Sequence, residues 1–442
     1  MRRLVYDAQS EVETPIIQEI IRTCRVKPIF PNLQWLSWSS KTISNVAIFL
    51  HSGITALEIA YRQDEVHPDY KAVIMLTSLP TSLPSLTRFK LSTRHPSLYL
   101  HDNTCVMLNS MSKLEWLGLS ANWFCDHTLS VVSRLPRLQH LEYQEYNWGL
   151  PVPIKVDDIG LLQLQQISLH EHSFPALNSL HLQVDLDVAH RFLEHCPHKG
   201  QLTQLTVNTS SVKIAFARDV YDFLALCASR HPLLVQLTLN LIHTVFFNPF
   251  NYVLAEEPPA TLETLHPVLS LQRLREFVFR YDTQLQLSEK DLEIFASTLP
   301  KLRVLMLNNS PGQPDTPVLS VYAVRPFVKY CHELEELGLY IDGESTPTSL
   351  LQEGRYSRPN LTLDFGSSPI TPENAEQIAL ALSGLFESPA PDLQAQAGYR
   401  DLVPTACSFS ANDEEEEEWK RASTSPFKLW GRVNDLLGTL VD

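Results

Sequence analysis

A chain of 442 residues has room for two or three ordinary domains or for one long repeat array. Its composition, 44% hydrophobic and 19% charged, is that of a folded chain rather than a disordered one, and thirty prolines against 14 glycines disfavour an enzyme built on glycine-rich nucleotide turns. The net charge of -15, part of it in the acidic run from Asp413 to Glu418, excludes nucleic-acid binding over the whole surface, because phosphates need a basic footprint.

From the N-terminus, Leu4-Val5-Tyr6 reads as strand. Thr14-Pro15 opens a helix as N-cap and first residue, with Ile16, Ile17, Ile20, Ile21 and Cys24 on one apolar face. Leu33/Leu36/Trp38 then begins a pattern of apolar residues at the first, fourth and sixth places. It recurs from Ile54, Leu86, Leu114, Leu138, Leu177, Leu202, Leu234, Leu274, Leu302 and Leu334. The cleanest copy, Leu114 to Asn122, fits L-x-x-L-x-L-x-x-N, the strand and turn of a leucine-rich repeat. Several copies are entered by a proline tetrapeptide, at Leu83, Leu135, Phe174, His231 and Leu299, which blocks continuation of a preceding helix. Helical stripes fall between them: Val188 to Cys196, Ala217 to Cys227, a capping-box variant at Ser288-Glu289-Lys290-Asp291, and Val321 to Cys331. The long gaps around 148–153 and 248–259 have loop chemistry.

These patterns predict an α/β leucine-rich-repeat solenoid (horseshoe), with a concave parallel sheet and convex helices, over residues 1–365. Residues 366–388 are expected to form a terminal repeat or cap helix opened by Thr371-Pro372. Residues 389–418 are expected to be a flexible linker with the acidic run. Residues 419–442 are expected to form an amphipathic helix with Trp430, Val433, Leu437 and Leu440 on one face, which caps the end of the array, docks on a partner or stays loose.

Alternation sends the third, fifth and seventh places of each unit outward. The third-place column begins Arg3, Trp35, Ala56, Arg88, Trp116, His140 and Ser179, and the fifth begins Val5, Ser37, Glu58, Lys90, Gly118, Glu142 and His181. The seventh is mostly polar, including Ser120, Gln144 and Asn308. Trp35 and Trp116 are bulky aromatics at exposed sheet places, the residue type that anchors interfaces. With Arg88, Lys90, His140, Glu142 and Gln144 they form the candidate protein-binding face.

No catalytic residue, metal ligand or cofactor site is expected. The histidines at 170, 172, 181, 190, 195 and 198 are dense, but no second imidazole completes H-E-x-x-H. No phosphate-binding glycine loop or nucleophile elbow occurs, and the acidic run lacks the glycine of a calcium loop. Seven dispersed cysteines without C-x-x-C argue for a reducing, intracellular compartment, cytoplasmic or nuclear. The N-terminus has no long apolar segment and no run of about 18 apolar residues occurs, so neither a signal peptide nor a membrane span is expected.

The order Arg2 to Asp7, the helix Pro15 to Cys24, Phe30 to Leu36, the irregular Leu-Pro-x-Leu repeats and the acidic stretch with a C-terminal helix (Asp413 to Leu440) resembles the repeat region of fungal, mushroom-type F-box/leucine-rich-repeat proteins. The resemblance implies that the repeats hold a protein to be ubiquitinated. In that family an F-box binds a Skp-type adaptor in a cullin ligase. Here no segment reads as an F-box, so adaptor and cullin are expected partners only of a longer form that carries one. The expected function is non-enzymatic protein binding as the substrate-recognition part of an F-box-like ubiquitin ligase receptor. The alternatives are a free-standing scaffold or inhibitor, and a hydrolase whose site is noncontiguous.

Overall fold

Most strands of this protein begin where a single carbonyl is shared. Arg2 O accepts the N–H groups of both Gln34 and Trp35, at 2.9 and 3.0 Å. The same fork recurs at the carbonyls of Gln34, Thr55, Thr87, Glu115 and Gln139, and again at Thr203, Val235, Arg275 and Arg303. A carbonyl oxygen has two lone pairs, and using both on consecutive donors of the next unit fixes the register without a side chain.

The computed structural model of the chain describes residues 1–7, 19–20, 22–23, 28–41, 43–61, 70–93, 98–120, 123–144, 169–197, 200–209, 215–242, 259–312, 316–345, 355–358, 360–387, 391–394 and 428–441. The helix expected at Pro15–Cys24 lies largely outside these residues. The expected loops at 148–153 and 248–258 and the acidic run lie wholly outside them. The chain divides into two compact units, Met1–Gln183 with Arg191–Leu202, and Val184–His190 with Thr203–Asp442.

The first unit carries β1 (Arg3–Asp7), β2 (Trp35–Ser40), β3 (Ala56–Tyr61), β4 (Arg88–Thr93), β5 (Trp116–Leu119), β6 (His140–Tyr143) and β7 (Ser179–Gln183). Successive strands are parallel, and residues 3, 35, 56, 88, 116, 140 and 179 stand opposite one another in turn. The second carries β8 (Gln204–Asn208), β9 (Gln236–Leu241), β10 (Glu276–Tyr281), β11 (Val304–Leu307), β12 (Glu336–Leu339), β13 (Thr362–Asp364) and β14 (Asp392–Gln394). Its column runs 204, 236, 276, 304, 336, 362 and 392. Both units are leucine-rich-repeat solenoid, as the spacing predicts. The inward places form unbroken apolar columns: Leu36, Leu57, Phe89, Leu117, Leu141 and Leu180 in the first unit are at most 1% exposed, as are Leu205, Leu237, Phe277, Leu305, Leu337 and Leu363 in the second.

The connectors vary more than the strands. Residues 43–49 and 266–270 are 3-10 helix, while Tyr70–Ser82, Leu98–Asn109 and Ala217–Arg230 are α-helix. The capping box before Glu289–Thr298 forms: Ser288 N donates to Asp291 Oδ2 at 2.8 Å, and Asp291 N to Ser288 Oγ at 3.3 Å. The segment read as one helix from Val321 divides into a 3-10 turn, Val321–Val324, and an α-helix, Arg325–Tyr330, with Pro326 in its first turn.

Three expectations are corrected. β14 lies in the stretch read as linker, and the rest of that linker, through residue 418, is outside the described residues. The helix expected from Thr371-Pro372 starts at Ala375, after a turn. The seventh place is not uniformly outward: Ser120 and Asn308 are 3% and 1% exposed. Both are drawn in by the turn. Thr93 N donates to Ser120 Oγ at 2.7 Å, and Tyr281 N donates to Asn308 Oδ1 while Asn308 Nδ2 donates to Thr283 O, each at 2.8 Å.

The last layer of the second unit is covered by a helix over residues 428–441. Trp430, Val433 and Leu437 are at most 1% exposed, whereas Leu440 is 43% exposed and leaves the apolar face. Trp430 lies against Phe365, ring centroids 4.7 Å apart, and its Nε1 donates to Ser368 O at 3.0 Å. Asn434 Oδ1 accepts from Leu393 N at 2.9 Å, satisfying a donor of β14. Terminal layers need such a cover, because an open end exposes an apolar face. Trp430→Ala is expected to cost about 3–5 kcal/mol and to speed hydrogen exchange at Leu393 before that of β9. Uniform exchange across the unit contradicts this.

His231 occupies the place that Leu83, Leu135, Phe174 and Leu299 fill elsewhere, and it is fully buried. Neither ring nitrogen has a hydrogen-bond partner. Burial, helped by the charge of Arg230, pushes its pKa from 6.5 down to about 4. The unfolded chain therefore takes up the proton first, so this contribution to stability is whole above pH 6.5 and is lost as pH falls toward 4. His231→Leu is expected to raise stability at neutral pH by about 1–3 kcal/mol and to flatten the loss across that window in urea titrations at several pH values.

Candidate functional site

The third-place column of the first unit is an alternation of indoles and guanidinium groups. Arg3 Cζ lies 4.0 Å from the Trp35 ring centroid. Arg88 Cζ lies 3.8 Å from the Trp116 ring and 5.5 Å from that of Trp35, so one arginine serves both. Ala56 stands between Trp35 and Arg88 in the column, small enough for the two to meet across it. Each such contact is worth about 0.5–1 kcal/mol at a solvated site and more when water is excluded.

The fifth-place column adds a charge pair. Lys90 Nζ is 2.9 Å from Glu142 Oε1, reaching across Gly118 on the strand between them. A Cβ at Gly118 would meet Trp116 Cη2 at 2.7 Å and Lys90 Cγ at 3.1 Å, so the missing side chain is what lets the indole and the pair coexist. Arg88 Nε lies 3.5 Å from Glu58 Oε1. His140, next to Trp116 in the column, is held below its usual pKa by burial and by the charge of Arg88. His181, next to Glu142, is also below its usual value: burial and Lys90 lower it, and Glu142 opposes them. Both imidazoles are therefore neutral at neutral pH.

Trp35, Arg88, Lys90, Trp116 and Glu142 are thus brought together on one face, with His140 beside them. Gln144 stands just past the end of β6, half-buried, its N–H donating to Leu119 O at 3.0 Å. The expectation of freely exposed tryptophans is corrected: Trp35 and Trp116 are half-buried, because arginines lie on their rings. Arg3 and His181 belong to the cluster and were missed among the candidates. Both were readable from the columns, as neighbours of Trp35 and Glu142. Three cations against two carboxylates give the cluster a local excess of positive charge on a chain of net charge -15.

The dense histidine region does not become a metal site among the described residues. His170 and His172 share a turn, His195 Nδ1 is 2.8 Å from Arg191 O, and His181 joins the sheet face. A different group does gather: His101, Cys105 and His127, with Cys125 Sγ 3.2 Å from His101 Nε2. Burial raises the Cys125 thiol, but hydrogen bonds with His101 and Thr128 outweigh it and leave it below its ordinary value, whereas burial pushes Cys105 up to about 11. All five described cysteines are buried. Among the described residues no helix is long and apolar enough to cross a membrane.

No protein-family model matches the chain, and no characterised protein matches it in sequence. Several solved structures show a distant likeness. A chain of the Rad7 and Elc1 complex in yeast has TM-score 0.42 and 13% identity, covering 89% of this chain and 90% of that one. A Leptospira interrogans leucine-rich-repeat protein has TM-score 0.32 and 12% identity, covering 96% and 98%. A chain of the TLR13–ssRNA13 complex has TM-score 0.34 and 14% identity, covering 77% of this chain and 50% of that one.

The histidines report the charge pair. In Lys90→Met the His181 pKa is expected to rise, and in Glu142→Gln to fall further, because each substitution removes one of two opposing charges. NMR titration of the ring protons reads both. Equal values in the two variants contradict the geometry.

Proposed function

We propose that this chain is a non-enzymatic protein-binding module, the substrate-recognition part of an F-box-like ubiquitin ligase receptor. The observation that carries the binding reading is the face built by Trp35, Arg88 and Trp116 with the Lys90–Glu142 pair. Tryptophan and arginine are the side chains most often found at the energetic centre of protein interfaces. Here they are pre-ordered by one another, which lowers the entropy lost when a partner docks. A shallow hollow of about 350 Å³ near the end of the second unit, lined by Asn360, Thr362, Asp392 and Asn434, holds one titratable side chain, Asp392. That hollow does not gather the several convergent titratable groups of a hydrolase site.

The ligase half of the reading rests on the family resemblance of the repeats. It predicts that cullin and a Skp-type adaptor co-purify with the endogenous protein, through a longer form that carries the box. It also predicts that Trp116→Ala weakens client binding roughly thirty-fold, the equivalent of about 2 kcal/mol, with the thermal midpoint little changed. If clients stay bound to a folded Trp116→Ala protein, the face is not the binding site. If neither adaptor nor cullin co-purifies, the free-standing scaffold or inhibitor replaces the ligase receptor.

A further inference from the structure

Behind β5, two helices of the first unit present soft donors to each other. Leu98–Asn109 carries His101 and Cys105, four residues apart and so on one helical face. Cys125 and His127 stand at the start of the next helix, Asp126–Val132. One atom each from His101, Cys105 and His127 lies within 4.8 Å of the others. Cys125 Sγ adds a fourth donor, 3.2 Å from His101 Nε2.

The orientation of His101 matters. Its Nδ1 is 3.5 Å from Asp102 Oδ1, and Asp102 is also 3.9 Å from His127 Nε2. A proton on Nδ1 facing that carboxylate leaves the Nε2 lone pair directed toward Cys125 and Thr128. A carboxylate behind an imidazole is the arrangement that orients metal-bound histidines.

We propose that His101, Cys105, Cys125 and His127 bind one zinc-class cation in a four-coordinate N2S2 site. Bond lengths of about 2.0 Å to nitrogen and 2.3 Å to sulfur put tetrahedral ligand atoms roughly 3.5 Å apart. The His101–Cys125 separation is already of that order. The His101, Cys105 and His127 atoms, within 4.8 Å of one another, close to it by side-chain rotation, which exposed His127 is free to make, and Cys125 joins from its place against His101 Nε2. Binding converts both thiols to thiolates and releases their two protons to solvent. The cysteines are buried, at 2% and 7% exposure, so the site is closed and structural. It ties together the two helices that flank the strand carrying Trp116.

The test uses the full chain, stripped with a chelator and titrated with Co²⁺. The expected result is one equivalent bound with a thiolate-to-cobalt charge-transfer band and tetrahedral d–d intensity, displaced by Zn²⁺, and a raised melting temperature. His127→Ala and Cys125→Ser each abolish the band. Asp102→Asn weakens uptake about 10- to 100-fold, and Cys331→Ser, in the other unit, leaves it intact. His127 and Asp102 are exposed, so their variants keep the metal-free melting temperature. Absence of cobalt uptake overturns the proposal. So does uptake without a thiolate band, which marks surface imidazoles only, and so does a band that survives both His127→Ala and Cys125→Ser. None of these outcomes depends on protein binding at the sheet face.

Discussion

The shared carbonyl ahead of β2 to β7 and β9 to β12 is the constraint on which the rest of this protein depends. It aligns each unit with the next through two main-chain bonds, and it does so for Thr, Gln, Glu, Arg and Val alike. The alignment is strict because a slip of one residue would turn every inward leucine to solvent. Only the few residues around each fork must keep register. The connectors are therefore free to differ, from the 3-10 turn at 43–49 to the fourteen-residue helix Ala217–Arg230.

Strict register turns a sequence column into a physical one. In the first unit that places Arg3, Trp35, Arg88, Trp116 and His140 along one line, with Ala56 as the gap that lets Arg88 reach both indoles. Gly118 plays the same part in the neighbouring line, beneath the Trp116 ring and between Lys90 and Glu142. Two small residues thus decide how the large ones meet. The tryptophans are held by cations rather than left free, so this part of the sheet face is already ordered.

How much of this was legible follows from spacing. β2 to β12 are legible in place because an apolar residue, most often leucine, keeps the first, fourth and sixth positions. β13 escaped because Leu361 and Leu363 are two residues apart instead of three, and its fork is reduced to a single bond from Thr362 N to Glu335 O. β14 escapes because Pro391 directly precedes it, which reads as loop, and Leu393 is the one leucine of Asp392–Gln394. The members of the proposed binding face are readable as columns. The tilt of the tryptophans onto their arginines was not, since it depends on side-chain rotation across two strands. The His101–Cys105–Cys125–His127 group was invisible as a contiguous motif. His101 and His127 are 26 residues apart, close to the 24 between Leu114 and Leu138, so reading at the repeat period rather than along the chain is what places them together.

The central claim is that a protein partner seats on the sheet face of the first unit. Hydroxyl-radical footprinting of the chain with and without its purified client tests it most directly. The account predicts protection at Trp35, Trp116, His140 and His181, with Tyr70 and Ile74 on the helical side left as reactive as in the free chain. Protection at Tyr70 and Ile74 with unchanged Trp35 and Trp116 would contradict it.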